Sequence, residues 1–92
     1  MGEWTYPGIP EHIMLGIRRW VEFGLKPGSF LQAVVSGDLF KAVSYADDES
    51  LEALKPIVMF FYNRLPSACW GPTALETWPR EAKKRNIYRT DD

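Results

Sequence analysis

The sequence predicts an all-α fold: a compact bundle of three to four short helices joined by tight Pro/Gly turns. Three observations carry this. Apolar residues recur three and four positions apart in successive segments, the signature of one-sided helices. No run alternates strictly over six residues, and no Asn-Gly or Asp-Gly pair marks a hairpin. The strongest punctuation, Gly24, Pro27-Gly28, Pro66 and Gly71-Pro72, falls between those segments. At 92 residues and 46% hydrophobic, the chain has room for one domain. The expected divisions are an irregular leader over 1–9, a helical core over 10–79, and a basic, partly frayed tail over 80–92.

Pro10 opens the first helix at a position where a missing N–H costs nothing, and Glu11 suits the helix dipole. Ile13, Ile17, Trp20 and Val21 form its stripe, and Gly24 is the stop. After Pro27-Gly28, Ser29 stands three residues before Gln32, the capping-box spacing. The apolar positions Leu31, Val34, Val35, Leu39, Ala42 and Val43 then predict a second helix over 29–45. Gly37 lies inside it at about 1 kcal/mol relative to Ala. Asp47-Asp48-Glu49 places acids at the start of a third helix. Its stripe is Leu51, Leu54, Val58, Phe61, Tyr62 and Leu65. Pro56 interrupts it, giving either a kink near Lys55 or two short helices end to end. A loop over 67–72 leads to a second capping-box pair, Thr73 and Glu76, and a short fourth helix disturbed by Pro79.

Net charge is −1, so no global field draws the chain to nucleic acid or membrane. The balance is uneven: residues 1–79 carry six Lys/Arg against nine Asp/Glu, and residues 80–89 carry five against one. A phosphate contact through Arg80, Lys83, Lys84, Arg85 and Arg89 is the weaker alternative to a plain solvated helix. The longest apolar run, Ile57 to Tyr62, is far short of the ~20 residues that span a bilayer. Met1-Gly2-Glu3-Trp4 has neither a basic nor an apolar leader region, and Cys69 is the only cysteine. A cytoplasmic protein with no membrane partner is the expectation.

No catalytic constellation, metal site or cofactor motif is legible. One His and one Cys, 57 positions apart, do not make a zinc site, and nothing local supports Cys69 and His12 as a nucleophile pair. The Gly residues are scattered and form no phosphate loop. The acids over 47–52 lack the spacing of a calcium loop. Two features remain. Asp38 lies on or beside an apolar stripe, so it is exposed, paired or hydrogen-bonded. It either sits at the helix edge, ties to Arg18 or Arg19, or lines a polar cleft with Arg18, Arg19 or Tyr62. The aromatics are in surplus, with four Trp, four Tyr and five Phe. Met59, Phe60, Phe61 and Tyr62 are consecutive and cannot all face one core. Some of Ile57, Phe60 and Trp20 are therefore expected at solvent or a partner. Trp70 is either a hot-spot side chain or a lid on the core. The interaction candidates are Trp20, Phe60, Tyr62, Asn63 and Trp70, with a homo-oligomer, a dimer above all, expected to cover them.

Several stretches in order, Pro27-Gly28-Ser29-Phe30-Leu31, Ala33-Val34, Asp38-Leu39, Ala46-Asp47, Tyr62-Asn63, Pro66 and Cys69-Trp70-Gly71, resemble a group of small proteins of tailed phages and prophages. The likeness covers about residues 9–78. Gly37 stands where the group often has Asn before Asp-Leu, and the tail after Trp78 has no counterpart. The resemblance implies an accessory protein made in the bacterial cytoplasm that binds something of the host, and implies no reaction. The expected function is therefore non-enzymatic binding of a host protein of unknown identity, inhibition of a defence system in the anti-CRISPR manner being the most concrete version. The alternative is a small ligand, such as a nucleotide signal, held between protomers by Arg18, Arg19, Asp38 and Trp70.

Overall fold

In a computed structural model the described residues are 4–90, with side chains to residue 84. All are in helices or connections, and no strand occurs among them. There are six α-helices and one 3-10 turn, against the three to four helices expected, because two of the anticipated helices are each broken in two.

The first helix, α1 (Glu11–Phe23), begins one residue after Pro10, whose carbonyl accepts from the Ile13 and Met14 amides. It ends where expected. Gly24 takes φ +69° and its N–H returns to the Trp20 carbonyl. The next helix is α2 (Ser29–Ser36), and Gly28, not Ser29, is its N-cap. The Ser29–Gln32 capping box does not form; Gln32 reaches back to the Pro27 carbonyl instead, at 2.8 Å.

The helix expected over 29–45 stops at Ser36. Gly37 adopts φ +79°, a left-handed terminator, and the Asp38 carboxylate accepts from the Lys41 amide to start α3 (Leu39–Tyr45). A stop residue and a start residue stand side by side, so the chain turns between two helices that pack on each other.

Asp47 caps α4 (Asp48–Glu52) by accepting from the Ser50 amide at 2.8 Å. The break before Pro56 resolves as two helices end to end, with Ala53 between α4 and α5 (Leu54–Arg64). Pro56 is then the third residue of α5, in the first turn, where its missing N–H breaks no helical bond.

After the 3-10 turn Ser67–Cys69, the last helix is α6 (Ala74–Thr90). It does not end at Pro79. Ala74, Trp78 and Ala82 lie on one buried side, and that stripe carries the helix past the proline. An interior proline costs ~3 kcal/mol; burial of Trp78 and Ala82 offsets it. Helical backbone runs through the basic stretch to Thr90, and the last two residues lie outside the described ones.

Helix α1 packs on α6 so closely that a side chain at Gly24 would place its Cβ 2.6 Å from the Pro79 Cα and 3.2 Å from the Ala82 Cβ. The centre of the core is a relay of two indoles. Trp20 Nε1 donates to the Cys69 carbonyl and Trp78 Nε1 donates to the Trp20 carbonyl, each at 2.8 Å. Both rings are fully enclosed. The Cys69 thiol donates to the Pro66 carbonyl, and the Gly71 amide donates to the Val35 carbonyl at 2.7 Å. The 67–71 loop is therefore sewn to α1 and α2. The radius of gyration, 12.8 Å, is close to the ~12 Å of a folded chain of this length.

Candidate interaction face

Helix α5 is apolar almost all round, and a helix of that kind asks to be covered on every side. The fold covers half of it. Ile57, Phe60 and Phe61 point inward at positions i, i+3 and i+4. Over Phe60 lies the leader: Trp4 and Tyr6 meet its ring edge-on at 6.1 and 5.4 Å between centroids. Those two rings are in turn faced by the Arg18 and Arg64 guanidinium groups, at 6.0 and 5.2 Å. The opposite side of α5, Val58 and Tyr62 with Met59 beside them, has no such cover.

Across from it stands α3, whose seven residues bury only Ala42. Ala42 fixes the orientation, since at 100° per residue Phe40 falls on the far side. Phe40 is 87% exposed. Leu39 lies on the side toward α5, and Val43, one helical turn on, is half exposed. Between the two helices runs an open groove made of two adjoining hollows, of about 270 and about 80 Å³. They share Val34, Val58 and Trp70. Ala33, Gly37, Asp38, Leu39, Ala42 and Leu54 complete the larger hollow, and Phe61 and Tyr62 complete the smaller. Tyr62 leans on Trp70 at 6.1 Å between centroids. The Trp70 indole N–H is buried, and no acceptor among the described residues meets it.

The sequence-derived candidates divide on these facts. Trp20, at 0% exposure, and Phe60, at 3%, are core residues and not interaction residues, and Ile57 is buried with them. For Ile57 and Phe60 the phase of α5 explains the error: of the anticipated stripe Leu51, Leu54, Val58, Phe61, Tyr62 and Leu65, Phe61 is buried as expected, but Leu51, Val58 and Tyr62 face out and Ile57 and Phe60 turn inward in their place. Tyr62 and Asn63 are exposed, and Trp70 is half-buried as a groove wall. The groove residue that sequence reasoning missed is Leu39, since it reads, with Val43, as part of the inner stripe of one long helix; Phe40, off that stripe, is exposed. The adjacent Gly37-Asp38, a terminator followed by a cap, was the available signal.

Arg18, Arg19 and Asp38 do not come together in one cleft. Arg18 bonds Glu22 at 3.1 Å, one turn along α1. Arg19 lines a separate hollow with His12, Lys26 and Phe30. Asp38 caps α3 and borders the groove. His12 pairs on the surface with Glu49 at 3.3 Å, while Cys69 is buried and bonded to Pro66. Among the described residues no group of three His, Cys, Asp or Glu side chains is placed to hold a metal ion, and no helix is long and apolar enough to cross a membrane. Arg80, Lys83 and Lys84 are exposed along α6; the Arg85 and Arg89 side chains lie outside the described residues. No family model, no curated protein and no solved structure matches this chain.

Proposed function

We propose that this protein is a non-enzymatic accessory protein of phage or prophage origin that acts by binding a host protein through the α3–α5 face. The observation that carries the reading is the groove of about 270 Å³ together with an almost free Phe40 ring on α3, the helix whose Leu39 and Ala42 line it. Contiguous exposed apolar surface of this kind marks contact sites. An aromatic that stands clear of its own fold is the type of residue that dominates binding energy when enclosed. The phage context comes from the sequence resemblance alone. Inhibition of a bacterial defence system is the finer version of the same reading.

The test compares two baits, the wild-type chain and Phe40→Glu, in lysate of a bacterial host. The reading requires a protein enriched by the wild type and lost with the variant, which then forms a defined complex with the purified chain. For the finer version, cells expressing the wild-type chain should let a defence-targeted phage plate more efficiently, and cells expressing Phe40→Glu should not. Equal enrichment by both baits sinks the reading.

A further inference from the structure

We infer that, when no other protein occupies it, the α3–α5 face is closed by a second copy of this chain, in a two-fold arrangement that seats the Phe40 ring of each copy in the groove of the other. This rests on reading the face as a binding face, and it adds the regulation of that face: a host protein binds by displacing the second copy.

Shape is the first argument. A two-fold interface uses the same patch twice, so the patch has to complement itself. Here a projecting ring stands on the same short helix whose Leu39 and Ala42 line the hollow. Phe40 points away from Ala42 on the crest of α3, and the adjacent residue, Leu39, already lines the groove. The larger hollow, about 270 Å³, has room for a phenyl ring, since a cavity of about 150 Å³ suffices to bind benzene.

Area is the second. A whole aromatic side chain presents roughly 150–250 Å², so Phe40 and Tyr62, 87% and 68% exposed, together offer on the order of 300 Å². Leu39, Val43 and Val58, each about half exposed, bring the apolar part of the face to roughly 500 Å². A standard interface buries about 800 Å² per partner, and about 65% of a homodimer interface is apolar, so it needs an apolar area of this size.

The experiment is solution mass by light scattering after size exclusion, on the full chain across a dilution series. The wild type should run at twice the 10.6 kDa of one chain and fall toward one chain on dilution. Phe40→Glu should halve the mass at every concentration with an unchanged helical circular-dichroism spectrum, because Phe40 contributes nothing to the core. Val58→Lys should do the same from the groove side. Mixing the two variants should restore the dimer, because one of the two symmetric contacts is then native and the other joins opposite charges. A wild-type mass of one chain at the highest concentration overturns the inference. So does a Phe40→Glu variant that stays dimeric, or a mixture that stays monomeric. A wild-type dimer dispersed by Phe40→Glu supports it whether or not a bacterial protein is captured, so this inference and the host-binding reading can fail separately.

Discussion

Trp70 and the pair Trp20 and Trp78 are the same residue type in opposite circumstances. Trp20 and Trp78 are enclosed, and each indole N–H has a carbonyl at 2.8 Å. Trp70, one residue from the carbonyl that receives Trp20, is half-buried with its N–H unmet. The Cys69-Trp70-Gly71 segment therefore does two jobs at once. Cys69 and Gly71 bind it to the core through their backbone groups, and Trp70 is held out as a wall of the groove. Buried polar groups in proteins are nearly always paired, so among the described residues the Trp70 donor stands apart from the two core indoles.

The largest expected effect separates the two sides of α5. Phe61→Ala should cost about 3–5 kcal/mol in chemical denaturation, as removal of a packed ring does. Val58→Ala, three residues earlier on the open side, should cost less than about 1 kcal/mol. Equal losses would show that the groove is part of the core. Next is Gly24→Ala. It places a Cβ in a left-handed residue and drives it into the backbone of Pro79, so a loss of about 2–4 kcal/mol is expected from strain and overpacking together. A loss within the ordinary surface range would mean that α1 and α6 can separate there at little cost.

The indole comparison is sharpened by a matched pair. Trp20→Phe removes a donor with a partner 49 residues away and should cost at least about 1 kcal/mol, to which lost packing adds. Trp70→Phe removes a donor that has no partner among the described residues and should change stability by less than about 1 kcal/mol. If the two variants unfold at the same denaturant concentration, the contrast between hub and groove is broken.

Local signals were legible in the sequence and long-range ones were not. The start of α1, its Gly24 stop and the acidic start of α4 are encoded within a few residues, by proline, glycine and carboxylates acting on adjacent backbone. The Gly37-Asp38 break is equally local. It was read through because the stripe from Val34 to Val43 keeps helical spacing across it. The face of α5 depends on where α4 ends, and a shift of one or two residues at Ala53 rotates every later side chain by 100–200°. No pattern within 54–64 announces that Trp4 and Tyr6 come back to cover Phe60, or that α6 continues past Pro79 with Trp78 bonded to Trp20 and Ala82 set against Gly24. For the same reason the groove was legible in Tyr62 and Trp70 alone: its other wall belongs to α3, which the sequence reading had joined to α2.

The smallest expected effect concerns Asp47. Its carboxylate caps α4, accepting from the Ser50 amide, and that hydrogen bond holds its pKa below the ordinary carboxylate range, with His12 adding a minor attraction. A group whose pKa is lower folded than unfolded stabilises the fold fully above its unfolded pKa of about 3.9, and loses that contribution as pH falls through the lower folded value. Asp47→Asn keeps a capping oxygen but removes the titration, since Asn and Asp are comparable N-caps. Thermal unfolding of the wild type and of Asp47→Asn should therefore give closely matched midpoints near neutral pH. The wild type should then lose ground to the variant as pH drops below the carboxylate range. Parallel curves would place the cap's stabilisation in packing of the α4 terminus rather than in the charge of its first acid.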